Sequence, residues 1–332
     1  MTTLFLALFF AAATPRYHVV KHMHVAGDTG WDYLTIDSAT HRLFISRGDH
    51  VTVLDVVSGK IVGEIPKTEG VHGIAIARDL HRGFVSNGRL NDITIFDLDS
   101  LKVIGDAPTS ERPDAIIFEP LSSRVFTFNA AGKNATAIDA ATGKVAGTIP
   151  LGGKPEAAVD DGKGRVYVNI EDTSEMVVID AKTLEVINRW KLTGCEEPSG
   201  LAIDRDHKRL FSGCDNKVMA ISDTTPGHVI TTVPIGEGVD GDGFDPAYGV
   251  AFASNGGSGT LTVVRELSPD RYEVEDNVAT ARGARTMTVD EKTHHIFLPT
   301  AQFAPPPAAT PENPRPRRTI VPGTFEIIEV AP

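Results

Sequence analysis

Cysteine is nearly absent: the chain has 332 residues and two Cys. They can form one internal bridge at most, so no disulfide framework builds this fold. Positive charge is short as well. Lys and Arg total 32 against 44 Asp and Glu, a net charge of −12. That balance argues against a surface made for phosphate backbones, so nucleic acid is not an expected partner. Long apolar runs are missing. The main one, Leu4 to Ala13 in MTTLFLALFFAAA, falls well below the ~20 residues a helix needs to cross a bilayer. No later stretch keeps a helical period of 3.6. There is no Gly-x-Ser-x-Gly elbow, no His-Glu-x-x-His and no Walker motif. Disorder is excluded too, because 41% hydrophobic residues are ample for a core.

The apolar run fits the h-region of a secretory signal better than a membrane span. Residues 1–14 are therefore expected to be a signal peptide, with Ala11-Ala12-Ala13 as an approximate cleavage site, although no basic residue precedes the run. A buried strand or helix end is the other reading. Export implies a periplasmic or secreted protein with no transmembrane span.

Length alone suggests two domains, but a repeat replaces that expectation. Seven segments share one register: WDYLTID from Trp31, VHGIAIA from Val71, PDAIIFE from Pro113, PEAAVDD from Pro155, PSGLAID from Pro198, VDGDGFD from Val239 and ARTMTVD from Ala284. Their second residues are spaced by 40, 42, 42, 43, 41 and 45. Three more short segments follow each, such as RLFIS, VTVLD and KIVGEI after the first. All are β-branched or aromatic and bounded by Gly, Asp and Ser turns. Four strands per unit of ~40–45 residues is the arithmetic of a β-propeller. The seventh unit supplies only three strands, ARTMTVD, HIFLP and TFEIIEV. The fourth is expected from YHVVKHMHV, Tyr17 to Val25, which would close the ring and remove a free edge. The expected fold is all-β: one seven-bladed propeller over residues 15–332, four antiparallel strands per blade, closed by the N-terminal strand, and a monomer.

The phrases RLFIS, VTVLD and SGK, and RVYVN, MVVID and TLEV, resemble the YVTN repeat of the YncE-like β-propeller family over essentially the whole chain after the signal. The resemblance implies the propeller fold. It does not imply one activity, because similar propellers include lactonases and virginiamycin-type lyases, and DNA binding is associated with the family.

In such a blade, strands a to d run outward from the central channel. The aligned second residues begin strand a and should ring the channel mouth on the top face: Asp32, His72, Asp114, Glu156, Ser199, Asp240 and Arg285, with Asp242 nearby. Four carboxylates in a narrow ring repel one another. A cation, a proton, or Arg285 and His72 as partners must offset this. Plain solvation by channel water is the bland alternative. A second set follows strand b: Arg47, Asn87, Asn129, Cys214, Asn255 and Thr300, with Asn169 close by. The Asn side chains are read either as caps of the b–c turns or as amides placed beside the acids. Carboxylates with Asn carbonyls would suit Ca²⁺ or Mg²⁺, with Asp32, Asp114, Glu156 and Asp240 as candidate ligands. His18, His22 and His24 are expected at the outer rim, and His294 and His295 on the face opposite the ring.

Cys195 and Cys214 fall in the d–a and b–c loops of one unit, both on the top face. In an exported protein a disulfide between them is expected, with two free thiols or a thiolate metal site as rivals. Residues 301–323, AQFAPPPAATPENPRPRRTIVPG, form a Pro-rich insertion in unit seven with Arg315, Arg317 and Arg318. Its prolines oppose strand pairing. It is either a surface loop or a side wall over the mouth.

Three functions are open at this point. The first is non-catalytic binding of a small molecule or protein at the mouth, through Asp32, His72, Asp114, Glu156, Ser199, Asp240, Asp242, Arg285, Asn87, Asn129 and Asn255. The second is a metal-assisted lactonase or lyase, with His72, Asp114, Glu156, Asp240 and Arg285 as candidate catalytic groups. The third, DNA binding, is opposed by the charge. The first is favoured because no catalytic motif is present.

Overall fold

The computed structural model describes residues 16–306, 308, 310 and 318–332. The proposed signal peptide, residues 1–14, lies outside them. So do Arg315 and Arg317 of the insertion. Among the described residues the helical content is two single 3₁₀ turns, Arg78–Leu80 and Glu171–Thr173.

The described residues form seven separate four-stranded antiparallel sheets. The inner strands of blades 1 to 7 are Leu34–Asp37, Val71–Ala77, Pro113–Glu119, Pro155–Asp160, Pro198–Asp204, Val239–Asp245 and Thr288–Asp290. Six blades are built from consecutive strands. Blade 7 is composite: Thr288–Asp290, His295–Thr300 and Glu326–Ala331 are joined on the outside by His18–His24 from the other end of the chain. His18 pairs with Ala331 and His24 with Glu326. The propeller and its closure are therefore as expected from the repeat.

The repeat phrases have physical causes. Strand b of every blade carries an aromatic at its third position: Phe44, Phe84, Phe126, Tyr167, Phe211, Phe252 and Phe297, none more than 1% exposed. Each sits in one of seven hydrophobic clusters, one at each inter-blade boundary. Burying such a side chain contributes roughly 1.5–3 kcal/mol, so the blades are held mainly by these wedges. The Arg that opens strand b staples neighbouring blades. Arg42, Arg82 and Arg124 donate to the Leu98, Ala140 and Ala181 carbonyls of the next blade. The Asp that ends strand c accepts from the turn that follows: Asp55 from Ser58, Asp97 from Ser100, Asp139 from Thr142. These bonds hold the Asp55, Asp97 and Asp139 carboxyls below their ordinary range.

Two inner strands start later than their repeat segments. In blade 1 the strand begins at Leu34 rather than Trp31, and in blade 7 at Thr288 rather than Ala284. There the preceding residues bond to side chains and to the neighbouring blade: the Asp32 amide donates to Ser46 Oγ, and Thr286 Oγ1 donates to the Asp32 carbonyl. The insertion also differs from expectation. Despite its prolines it is paired at its base, where Phe303 bridges Ile320 and the Ala304 amide donates to the Thr319 carbonyl. In the sequence six of the insertion's seven prolines fall between Ala304 and Thr319 and the seventh, Pro322, follows Ile320, so no proline amide is needed at the rung.

No helix among the described residues is long and apolar enough to cross a membrane.

Candidate functional site

A backbone irregularity aims the ring. In blades 2 to 6 the a–b register shifts at the start of strand a, between Val71 and Ile74, Pro113 and Ile116, Pro155 and Ala158, Pro198 and Leu201, and Val239 and Gly241. His72, Asp114, Glu156, Ser199 and Asp240 lie inside these shifts. A bulge leaves a residue unpaired and re-aims its side chain. The residue before the end of strand b stitches the gap. Ser86 Oγ accepts from the Gly73 amide and donates to the Asp114 carbonyl; Ser254 Oγ donates to the Gly241 and Arg285 carbonyls.

The ring side chains link into a chain of alternating charge. Arg285 donates to Asp240 and, at 3.2 Å, to Asp32. His72 Nδ1 lies 2.6 Å from Asp32 and 3.4 Å from Asp114. Ser199 Oγ donates to Asp240 at 2.6 Å. Glu156 lies 3.1 Å from Lys154 Nζ, and Lys154 also pairs with Glu171. Two neighbouring links remain open, Asp114 to Glu156 and Glu156 to Ser199, because no ring cation stands between those residues.

The titration shifts follow this pattern. Burial, opposed by His72 and reinforced by the charges of Asp32 and Asp240, raises Asp114 to about 6. Burial and then the Asp114 charge push Glu156 to about 8, against the pull of Lys154. Glu156 therefore keeps its proton at neutral pH. Burial raises Asp240 despite Arg285. Burial alone would lower His72, but its bond to Asp32 and the Asp114 charge overcome this and raise it. The ring's repulsion is thus offset by Arg285, His72, Lys154 and a proton on Glu156.

Not every expected residue joins the ring. The Asn87 amide donates to Asp92 and Thr94, Asn129 to Asn134 and Thr136, and Asn255 to Thr260 and Thr262. These bonds tie strand b to strand c of the same blade, and none reaches a ring side chain. Arg47 is fully buried, donates to Gly27 and Thr29, and lies 3.7 Å from the Phe325 ring centre. Asp242 turns between blades 5 and 6, where its carboxyl accepts from the Gly213 amide. A Cβ at Gly213 would sit 2.8 Å from that carboxyl, so glycine is required there. Burial raises Asp242 well above the carboxylate range. Cys195 and Cys214 are joined, S–S 2.03 Å. His22 pairs with Glu326, His294 with Asp245 and His295 with Glu329, all away from the ring.

Four residues complete the site without having been marked by the repeat. Tyr33 lines the channel beneath the ring. Burial and the charges of Asp114, Glu156, Asp240 and Asp32 raise its phenol well above 10. Lys154 and Arg112 hold a column where blades 1, 2, 6 and 7 have Gly30, Gly70, Gly238 and Gly283. Arg89 follows Gly88 in the b–c turn of blade 2. A charged residue in a glycine column was the signal available for Lys154 and Arg112. Arg112 adopts a left-handed φ of 56°, a conformation that disfavours a side chain by roughly 1–2 kcal/mol.

Above the ring, blades 7, 1, 2 and 3 enclose a cleft of about 540 Å³. Asp32, His72, Arg89, Arg112, Arg285 and Trp31 line it, over a floor that includes Gly48, Gly70 and Gly88. A Cβ on Gly88 would lie 2.7 Å from His72 Nε2. Trp31 packs on Phe303 at the insertion's base, 5.8 Å between ring centres, so that base stands beside this cleft.

The donor set does not suit Ca²⁺ or Mg²⁺. Those ions need six or more oxygen ligands. Asp32 and Asp240 are committed to Arg285, His72 stands between Asp32 and Asp114, and no Asn joins them.

No family model matches the chain, and no curated protein matches it. Solved structures do match. The chain is similar to RRP9 WD40 repeats (TM-score 0.76, 10% identity, 94% of this chain and 97% of that one). It is similar to U3-55K (TM-score 0.75, 10% identity, 93% and 98%). It is also similar to Kuenenia stuttgartiensis hydrazine synthase (TM-score 0.72, 15% identity, 83% and 94%). At these identities the likeness is one of fold: a seven-bladed propeller of the kind found in WD40 repeat proteins.

Proposed function

We propose that this protein is a non-catalytic binding propeller that takes a small anionic ligand, bearing carboxylate or phosphate oxygens, in the top-face cleft. The observation that carries the reading is the pair Arg89 and Arg112. Both line the cleft and both are exposed. Neither forms an ion pair among the described residues, in a chain of net charge −12. Guanidinium groups suit planar, two-pronged oxyanions. The ring below has met its own charges, so it acts as a rigid polar wall rather than a competing cation trap. A cleft of about 540 Å³ is of small-molecule size, which favours a small ligand over a protein. Export to the periplasm or outside belongs to the same reading, and the Cys195–Cys214 disulfide supports an oxidising compartment. The YVTN-like phrases support a YncE-like lineage. The insertion is proposed as a side wall of the cleft.

Calorimetric titration with citrate, succinate and pyrophosphate tests the reading. Saturable binding of at least one is expected, weakened about tenfold, ~1.4 kcal/mol, by Arg112→Ala and by Arg89→Ala. Absence of saturable binding, or binding that neither substitution changes, would overturn it. Turnover of a lactone panel by the same preparation would replace it with a catalytic reading.

A further inference from the structure

On the face opposite the ring, a second cluster has no part in the cleft. Asp204 ends the inner strand of blade 5, and His207 lies in the a–b turn that follows. Glu266 comes from Thr260–Ser268, the third strand of blade 6. One donor atom from each of Asp204, His207 and Glu266 lies within 4.8 Å of the others. His207 Nδ1 is 2.8 Å from Asp204 Oδ2 and 3.0 Å from Glu266 Oε1.

Glu266 sets this cluster apart from an ordinary surface triad. Its side chain is 5% exposed, yet neither carboxylate oxygen receives a hydrogen bond of acceptable geometry. A buried carboxylate without such bonds is costly. Asp204, 2% exposed, faces it. Asp204 Oδ1 accepts from the Asp206 and His207 amides, which leaves Oδ2 turned to the cluster. Arg209 is near but otherwise engaged: it donates to the Pro269 and His207 carbonyls and pairs with Asp223 and Asp270. The His207 side chain is 52% exposed, so the cluster opens to solvent at that one corner.

We propose that Asp204 Oδ2, His207 Nδ1 and Glu266 hold a divalent first-row transition metal, with Zn²⁺ as the fitting probe, and with water at the open corner. One imidazole with two carboxylates is a borderline donor set that suits such ions better than Ca²⁺ or Mg²⁺. Binding exchanges the proton on Nδ1 for the ion. Two ligands on a tetrahedral ion at ~2.0–2.1 Å stand about 3.4 Å apart. The contacts of 2.8 and 3.0 Å need to open by only a few tenths of an ångström, which the exposed His207 ring can supply. The ion would join blade 5 to blade 6 and give the Glu266 carboxylate a well-directed partner.

The test is calorimetric titration of chelator-stripped, full-length protein with Zn²⁺ at pH 7.5, read together with the melting temperature. One equivalent should bind and raise the melting temperature. His207→Ala and Glu266→Gln should each weaken that binding roughly tenfold or more and remove the thermal gain. His72→Ala, on the opposite face, should keep both. His207 is exposed enough that its variant should fold even if Glu266→Gln does not. Zn²⁺ binding unchanged in His207→Ala, or lost in His72→Ala alone, would overturn the proposal, as would failure of the wild type to bind. This site shares no residue with the anion cleft, so either proposal can fail without the other.

Discussion

Glu156 is the ring member whose neighbours leave it without a sufficient cation, and it shows how one residue can set a pH response. Its pKa is raised to about 8 from an ordinary 4.5, by burial first and the Asp114 charge second. The folded state therefore holds a proton that the unfolded chain releases above about 4.5. The stabilisation is fully present below that pH and is lost as the pH rises through about 8. Glu156→Gln mimics the protonated acid. Urea unfolding at several pH values should show the variant gaining on the wild type steadily between about pH 4.5 and 8, with the difference flat below and above. A difference independent of pH would mean that Glu156 is ionised in the fold. The positions of the ring were legible in the sequence, because Asp32, His72, Asp114, Glu156, Ser199, Asp240 and Arg285 share one register. The partners that neutralise them were not. Lys154 comes from the loop before its blade, and its link to Glu156 exists only once the bulge has turned the carboxyl upward. The Asn residues were legible as a set but ambiguous in role, since an amide at the end of strand b looks the same whether it faces the mouth or its own hairpin. Asp92, Thr94, Asn134 and Thr136 on strand c decide for the hairpin.

At the scale of the element, the bulge, the loop and the staple act together. The d–a loop into blade 5 carries Glu197, held at a left-handed φ of 49°, and then Ser199 of the ring. Cys195 anchors this loop to Cys214 at the end of strand b. With a sequence separation of 19 between the two cysteines, the chain-entropy account gives a stabilisation of about 3 kcal/mol. Replacing both with Ala should lower the free energy of unfolding by that order, measured from the urea midpoint, while leaving citrate or pyrophosphate binding at the opposite side of the mouth within about twofold. A midpoint within error of the wild type would show that blade packing alone fixes the loop. Strand existence was read correctly from alternation and turn residues, whereas strand starts in blades 1 and 7 were not. In those blades the residues before Leu34 and Thr288 spend their bonds on Ser46 and on the neighbouring blade, and periodicity does not report such bonds. The pairing of Phe303 with Ile320 was hidden for a similar reason: proline content is a property of the whole segment, whereas the residues of this rung are not prolines.

For the whole molecule, the wedges between blades give stability and the composite blade gives closure. Met23 and Val25 enter the cluster between blades 7 and 1, and Tyr17 the cluster between blades 6 and 7. Removing residues 16–25 should therefore expose the free edge of Glu326–Ala331 and open two clusters at once. Gel filtration and calorimetry should show self-association and loss of a single cooperative transition. A monomer melting like the intact chain would mean that the ring is held shut by side-chain wedges alone. The same closure has a consequence for how the chain is made. The strand His18–His24 emerges before any blade of the ring, but its partner Glu326–Ala331 emerges only after six of them. It must wait unpaired while six blades assemble beside it, and this most distant pairing in the sequence is a slow one to find. The ring is fastened by a strand made before the blades meeting one made after six of them, so a ribosome that stops short of Glu326 leaves an open fan whose waiting strand is still available to other chains.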